Sequence, residues 1–178
     1  MTRVRPTAEE VAAHLPGDDL IHRPDVVMDR AFTLPAPPES VWPWLVQLGK
    51  RRAGWYLPRA VERFVPVSRR ALRRLDDAWL HLRAGDVIPD WGGARATFTV
   101  TAIEPSSYLL HTSQRGRTFV TWCLFLTPVA GDRSRLHLRL RLAPVRHRRL
   151  AATLGGLIDL MTVQGLAGGL DERLRTRG

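Results

Sequence analysis

Residues 31–56 read Ala-Phe-Thr-Leu-Pro-Ala-Pro-Pro-Glu-Ser-Val-Trp-Pro-Trp-Leu-Val-Gln-Leu-Gly-Lys-Arg-Arg-Ala-Gly-Trp-Tyr. A short alternating segment runs into the Pro37-Pro38 pair, then an acid, then an apolar stripe that carries Trp42 and Trp44. Alternation with a period of two marks a strand, here placed from Asp25 to Leu34. Proline suits the first helical turn, whose N–H groups have no intrahelical partner, so a helix starts at Pro37. Val41, Trp44, Leu45 and Leu48 form its buried stripe, and Gly49 ends it.

Upstream, Thr7-Ala8-Glu9-Glu10 has the spacing of a capping box, in which each side chain satisfies the other residue's backbone N–H. A short helix from there reaches Leu15 and stops at Pro16-Gly17. Downstream, the stretch from Arg51 to Arg74 holds eight arginines against one acid, Glu62. Two short helices are expected in it, over 58–65 and 69–75. From Asp86 the period switches to two. Ala96, Phe98, Val100 and Ala102 alternate with threonines, and Tyr108–Thr112 and Thr118–Val129 read as the next strands. In the second of these Val120, Trp122, Leu124 and Leu126 share a face.

After a Gly131-Asp132 turn, Leu136, Leu138, Leu140 and Leu142 alternate with His137, Arg139 and Arg141. That pattern predicts an antiparallel sheet with one solvated side. The last helix, about 148–175, carries two stripes. Leu150, Leu154, Leu157 and Met161 share one side with Asp159 opposite, while Leu166, Leu170 and Leu174 fall on the other. A bend near 162–165, or a new packing partner for the second half, would reconcile them.

The chain has 178 residues and a formal net charge of +10, with Lys50 the one lysine among 27 basic side chains. Such a length supports one core, and such a charge favours anionic surfaces. Cys123 is the single cysteine, which excludes an intramolecular disulfide and a cysteine-based metal site. The N-terminal residues have no apolar core of the secretory kind, so a reducing cytoplasm is expected. Residues 150–170 contain one charge, Asp159, and five glycines. A central Asp opposes insertion by about 2.5–3.5 kcal/mol, and a soluble helix on a sheet is expected instead of a membrane span.

This order, with strand, helices, a run of strands and a long final helix, is α+β. It resembles the SRPBCC (START/polyketide cyclase-like) superfamily. The resemblance rests on Pro16-Gly17-Asp18-Asp19-Leu20, the 36–56 run with its Val-Trp-Pro-Trp-Leu-Val-Gln-Leu-Gly core, Gly85-Asp86-Val87-Ile88-Pro89 and 122–128. It spans most of residues 16–142, and 166–173 match more loosely. The resemblance implies a helix-grip fold: a curved antiparallel sheet wrapped around the long C-terminal helix, enclosing an apolar cavity, with short helices between the first and second strands. Residues 1–24 would be an N-terminal extension and 25–178 a single domain. After Gly54-Trp55-Tyr56 the chain departs from the family's polar continuation, with Leu57-Pro58-Arg59, so no role for that polar segment carries over.

A cavity of this kind needs apolar walls and a few orienting polar groups. Trp55, Tyr56, Trp91, Phe98 and Trp122 are the candidate walls, with Met161 as an adaptable filler. Set against this, each can equally be a plain core side chain. No nucleophile elbow, zinc-protease helix or phosphate loop is present. The glycines at 165, 168 and 169 read as a close-packing surface. None of the six histidines has metal-ligand spacing, and no cofactor is implied. His111 and Tyr56 are the acid–base candidates for cyclase chemistry, although a solvated or satisfied strand histidine is the commoner case.

The first expected function is binding of a small hydrophobic molecule. The alternatives are a cyclase or aromatase acting on a carrier-bound substrate, and an interaction module using the arginine surface. In that last case Arg69, Arg70, Arg73 and Arg74 would meet an acidic carrier protein or an anionic membrane. Nucleic acid is disfavoured, because no recognition helix or stacking pair accompanies the charge.

Overall fold

The computed structural model describes residues 3–93 and 95–176. In chain order its elements are α1 (Ala8–Ala12), β1 (Val26–Leu34), α2 (Pro38–Gln47), α3 (Arg59–Glu62), β2 (Val87–Pro89), β3 (Thr97–Glu104), β4 (Tyr108–Arg115), β5 (Thr118–Val129), β6 (Arg133–Ala143), α4 (Arg148–Leu150) and α5 (Gly156–Arg175). A π-helical turn, Ala151–Gly155, joins the last two. The strands form one antiparallel sheet in the order β1-β6-β5-β4-β3-β2. This is an α+β helix-grip fold, an open curved sheet that holds the long C-terminal helix.

The N-terminal capping box forms as its spacing predicts, with Thr7 Oγ1 accepting from the Glu10 N–H at 3.1 Å and Glu10 Oε2 accepting from the Thr7 N–H at 2.7 Å. Helix α2 follows Pro37 and buries Val41, Trp44, Leu45 and Val46. With Phe32 and Leu34 of β1, Leu124, Leu136, Leu166 and Leu170 they make the main core. The arginine-rich segment is less helical than expected: α3 is one turn, and Val67–Arg69 is a single 3-10 turn. Pro66, which has no N–H to donate, separates the two.

Two expectations are corrected. The outer face of β6 is not solvated, because residues 7–21 fold across it. Arg139 and His137 are buried there. The Arg139 guanidinium reaches Asp18 and Asp29 at 2.7 Å and caps α1 by donating to the Glu10, Val11 and Ala13 carbonyls. His137 Nε2 lies 2.7 Å from Asp29. Burial alone would raise the Asp29 pKa, but hydrogen bonds from His137 and Arg139 lower it. Leu15, Leu110 and Cys123 form a second, small apolar cluster under the same segment.

The final helix needs no bend. At about 100° per residue, Asp159, Val163, Leu166 and Leu170 share one side of a single continuous helix. That side faces inward, and Val163, Leu166, Leu170 and Leu174 are buried. The first stripe, with Leu150, Leu154, Leu157 and Met161, is exposed. Neither the bend nor a new partner for the second half is what reconciles the two stripes: the second half packs in the core and the first stripe is left outside. The run Arg148–Arg175 is long and apolar enough to cross a membrane by length and composition alone.

Candidate functional site

Between the sheet, the loop after α2 and the first half of α5 lies a cavity of about 440 Å³. Register builds its floor. His111 of β4 stands opposite Trp122 of β5, and Trp122 opposite Leu140 of β6. Side chains on one sheet face recur every second residue, so this row continues to Val120 and Leu142, which also line the cavity. Val163 closes it from α5, and Ile88 closes it from β2.

The aromatic wall is one connected cluster. Trp55 lies nearly parallel to Trp122, with centroids 6.2 Å apart, and meets Trp91 edge-on at 5.7 Å. Phe98 stands 5.6 Å from Trp122 and 5.8 Å from His111, whose ring stacks on Trp122 at 5.3 Å. Trp55 Nε1 donates to the Thr162 carbonyl at 3.1 Å, which ties this wall to the helix. Of the residues expected to line the cavity, Trp55, Trp91, Phe98 and Trp122 do so, and so does His111.

Tyr56 does not. Its side chain turns the other way from Trp55 and is fully buried. Its hydroxyl donates to the Trp44 carbonyl at 2.9 Å and accepts from Gln47 Nε2 at 3.0 Å. The Arg173 guanidinium covers its ring at 4.6 Å. Burial raises its pKa above the ordinary phenol value, so Tyr56 is a core strut and not an acid–base group. Met161 is also corrected: it is 69% exposed on the outward side of α5, half a helical turn from the inward-facing Asp159.

The arginine surface is smaller than its sequence count. Arg73 is held by Glu62 at 2.8 Å and Glu172 at 3.1 Å, so it serves the fold. Arg70 is exposed, but its guanidinium donates to the Val65 and Arg63 carbonyls. Arg69 and Arg74 are exposed.

The polar atoms facing the cavity are few. His111 is 4% exposed, and its Nδ1 has no hydrogen-bond partner. Burial pushes its pKa down to about 4, so the imidazole is neutral near pH 7. A hydrogen bond with the Trp122 backbone opposes that shift in part. Asp159 enters from α5 and pairs with Arg30 of β1 at 2.9 Å. Burial raises the Asp159 pKa, and the Arg30 charge counters it in part. At the other end Arg115 pairs with Asp90 and lies over the Phe98 ring at 5.0 Å. Asp159 and Arg115 were not expected at the site. The one signal for Asp159 was its place as the lone charge in an apolar helix, which fits a group turned toward a cavity. Among the described residues no group of His, Cys, Asp or Glu could hold a metal ion.

No family model and no curated protein matches the chain. Solved structures do. Protein CV1439 from Chromobacterium violaceum aligns with a TM-score of 0.53 at 14% identity, over 82% of this chain and 97% of that one. A protein from Rhodobacter sphaeroides aligns at 0.52 and 16% identity over 99% of both chains. DynU16, from the dynemicin biosynthetic locus, aligns at 0.52 and 19% identity over 86% of this chain and 48% of that one. At these identities the likeness is one of fold, and the fold they share with this chain is the helix grip.

Proposed function

We propose that the chain is an SRPBCC-type protein that binds a small hydrophobic molecule, ring-containing or acyl, in the cavity between sheet and helix. One observation carries the reading: an apolar space of about 440 Å³ walled by connected aromatic rings with few polar atoms. That volume and lining are those of a small-molecule site. Flat indole faces favour a planar or chain-like apolar ligand. His111 Nδ1, buried without a partner, is an acceptor or donor that a ligand hydroxyl or carbonyl would satisfy. DynU16, which has the same fold, is described as a protein of a biosynthetic locus, a setting consistent with a small-molecule ligand.

A second reading, cyclase-type acid–base chemistry, is favoured by the same imidazole. A neutral histidine at an aromatic cavity wall is a group to which a bound substrate could transfer a proton. Native mass spectrometry of the protein as purified, followed by the same on a solvent extract, tests the first reading. A bound molecule of this class supports it. If the protein carries none and a panel of acyl chains and polyphenols leaves its tryptophan fluorescence unchanged, the reading fails. With a ligand in hand, Trp122→Ala is expected to weaken binding. His111→Gln separates the two readings: turnover lost with product affinity kept indicates an enzyme.

A further inference from the structure

Residues 146–161 have inverted polarity. A helix on a sheet ordinarily turns its leucines inward and its charges outward. Here the one carboxylate of the segment, Asp159, points in to Arg30, and the apolar side chains point out. Leu150, Leu154, Leu157, Ile158 and Met161 are 60%, 55%, 54%, 60% and 69% exposed. Single exposed leucines are ordinary, but a contiguous apolar stripe marks an interaction surface. From Leu150 to Met161 the stripe runs roughly 17 Å at the rise of a helix.

Its surroundings indicate the partner. Arg146, Arg148 and Arg149 are exposed at its leading end, and among the described residues an acid engages Arg148 alone, Asp25 at 2.7 Å. No exposed carboxylate lies between 146 and 161. A second copy of this chain, at +10, would meet the patch with like charge. An anionic lipid surface offers both matching terms, acyl chains for the leucines and headgroups for the guanidiniums. The second half of α5 is buried in the core, so this fold offers the segment to a bilayer along its surface and not across it. The patch also adjoins the cavity: Trp91, 50% exposed, abuts Trp55, which is bonded to Thr162.

We propose that the outward face of residues 146–161 docks the protein on an anionic phospholipid bilayer. This stands whatever the cavity holds.

Vesicle co-sedimentation tests it, comparing phosphatidylcholine alone with phosphatidylcholine mixed with phosphatidylglycerol. The wild-type chain is expected to bind the mixed vesicles and to release them at high salt. Leu154→Glu/Ile158→Glu and Arg146→Glu/Arg149→Glu are each expected to weaken binding by about tenfold or more. All four side chains are exposed, and a circular-dichroism melt checks that each variant folds. Arg69→Glu/Arg74→Glu is expected to bind like wild type. The proposal is overturned if mixed vesicles are not bound, or if the loss follows Arg69 and Arg74 instead of the helix. It is also overturned if Leu154→Glu/Ile158→Glu disperses a dimer seen by light scattering while vesicles are ignored, because the occupant is then a second copy.

Discussion

His111 is the residue whose environment differs most from what its type prefers. Phe98 and Trp122 enclose the ring, and desolvation pushes its pKa from 6.5 to about 4. The unfolded chain takes up a proton at this position near pH 6.5, whereas the folded chain refuses it until about pH 4. Between those values the unfolded state binds more protons, so stability falls as pH falls, and below about 4 the loss is complete. The full loss is about 3 kcal/mol by linkage. A His111→Phe variant, which keeps a ring in the cluster, is expected to lack this component. Urea unfolding at pH 7 and at pH 4.5 measures it: the wild type should lose more stability than the variant between the two. Asp159, whose raised pKa acts in the opposite sense just above its ordinary 3.8, is present in both proteins and cancels. Equal losses would mean that the imidazole is not buried as described. The sequence singled out His111 as a strand histidine with a candidate role at the cavity, but neither its burial nor its neutral state was legible there. Burial and charge state depend on Val100 and Trp122 in the strands at its sides, which residue spacing does not supply.

At the scale of the element, α5 is seated by its glycines. A Cβ on Gly169 would lie 2.5 Å from the Tyr56 carbonyl carbon and 2.6 Å from the Leu57 nitrogen, whereas one on Gly165 would meet the Leu57 side-chain end at 2.7 Å. Backbone cannot yield and a leucine methyl can. Gly169→Ala is therefore expected to destabilise by about 2 kcal/mol or more, and Gly165→Ala by about 1 kcal/mol or less. Thermal melts of the two variants check the order, and the reverse order would contradict the seating of the helix. The glycines were legible as a packing surface, as were β5, the turn at Gly131-Asp132 and the two stripes of the last helix. Which stripe is buried was not legible. Periodicity gives the angle between Leu154 and Leu166, but a lone helix does not say which side meets a sheet. The same limit explains β6. Its alternation separates Leu138 from Arg139 correctly, yet the cover over Arg139 is Asp18, 121 residues away in sequence.

For the whole molecule, the cavity follows from the way sheet and helix meet. From Val163 onward α5 packs into the core with Val163, Leu166 and Leu170, whereas the turns before Val163 present Asp159 inward and leave Leu157, Ile158 and Met161 exposed. Volume remains where the leucines have turned outward. The same inversion thus leaves both the internal space and the exposed stripe. The cavity walls are continuous with the core around Trp44 and Tyr56, which buried Arg173 ties together by bonding Glu62 at 2.8 Å and the Leu57, Leu72 and Gly169 carbonyls. The most direct test is a fluorescence titration with the neutral apolar probe N-phenyl-1-naphthylamine, comparing wild type with Leu140→Trp. Leu140 is half-buried and faces the cavity, so the added indole occupies the space a ligand needs. One-to-one binding is expected for the wild type, with an affinity about tenfold or more weaker in the filled variant. Equal binding by the two, or none by the wild type, would contradict that expectation.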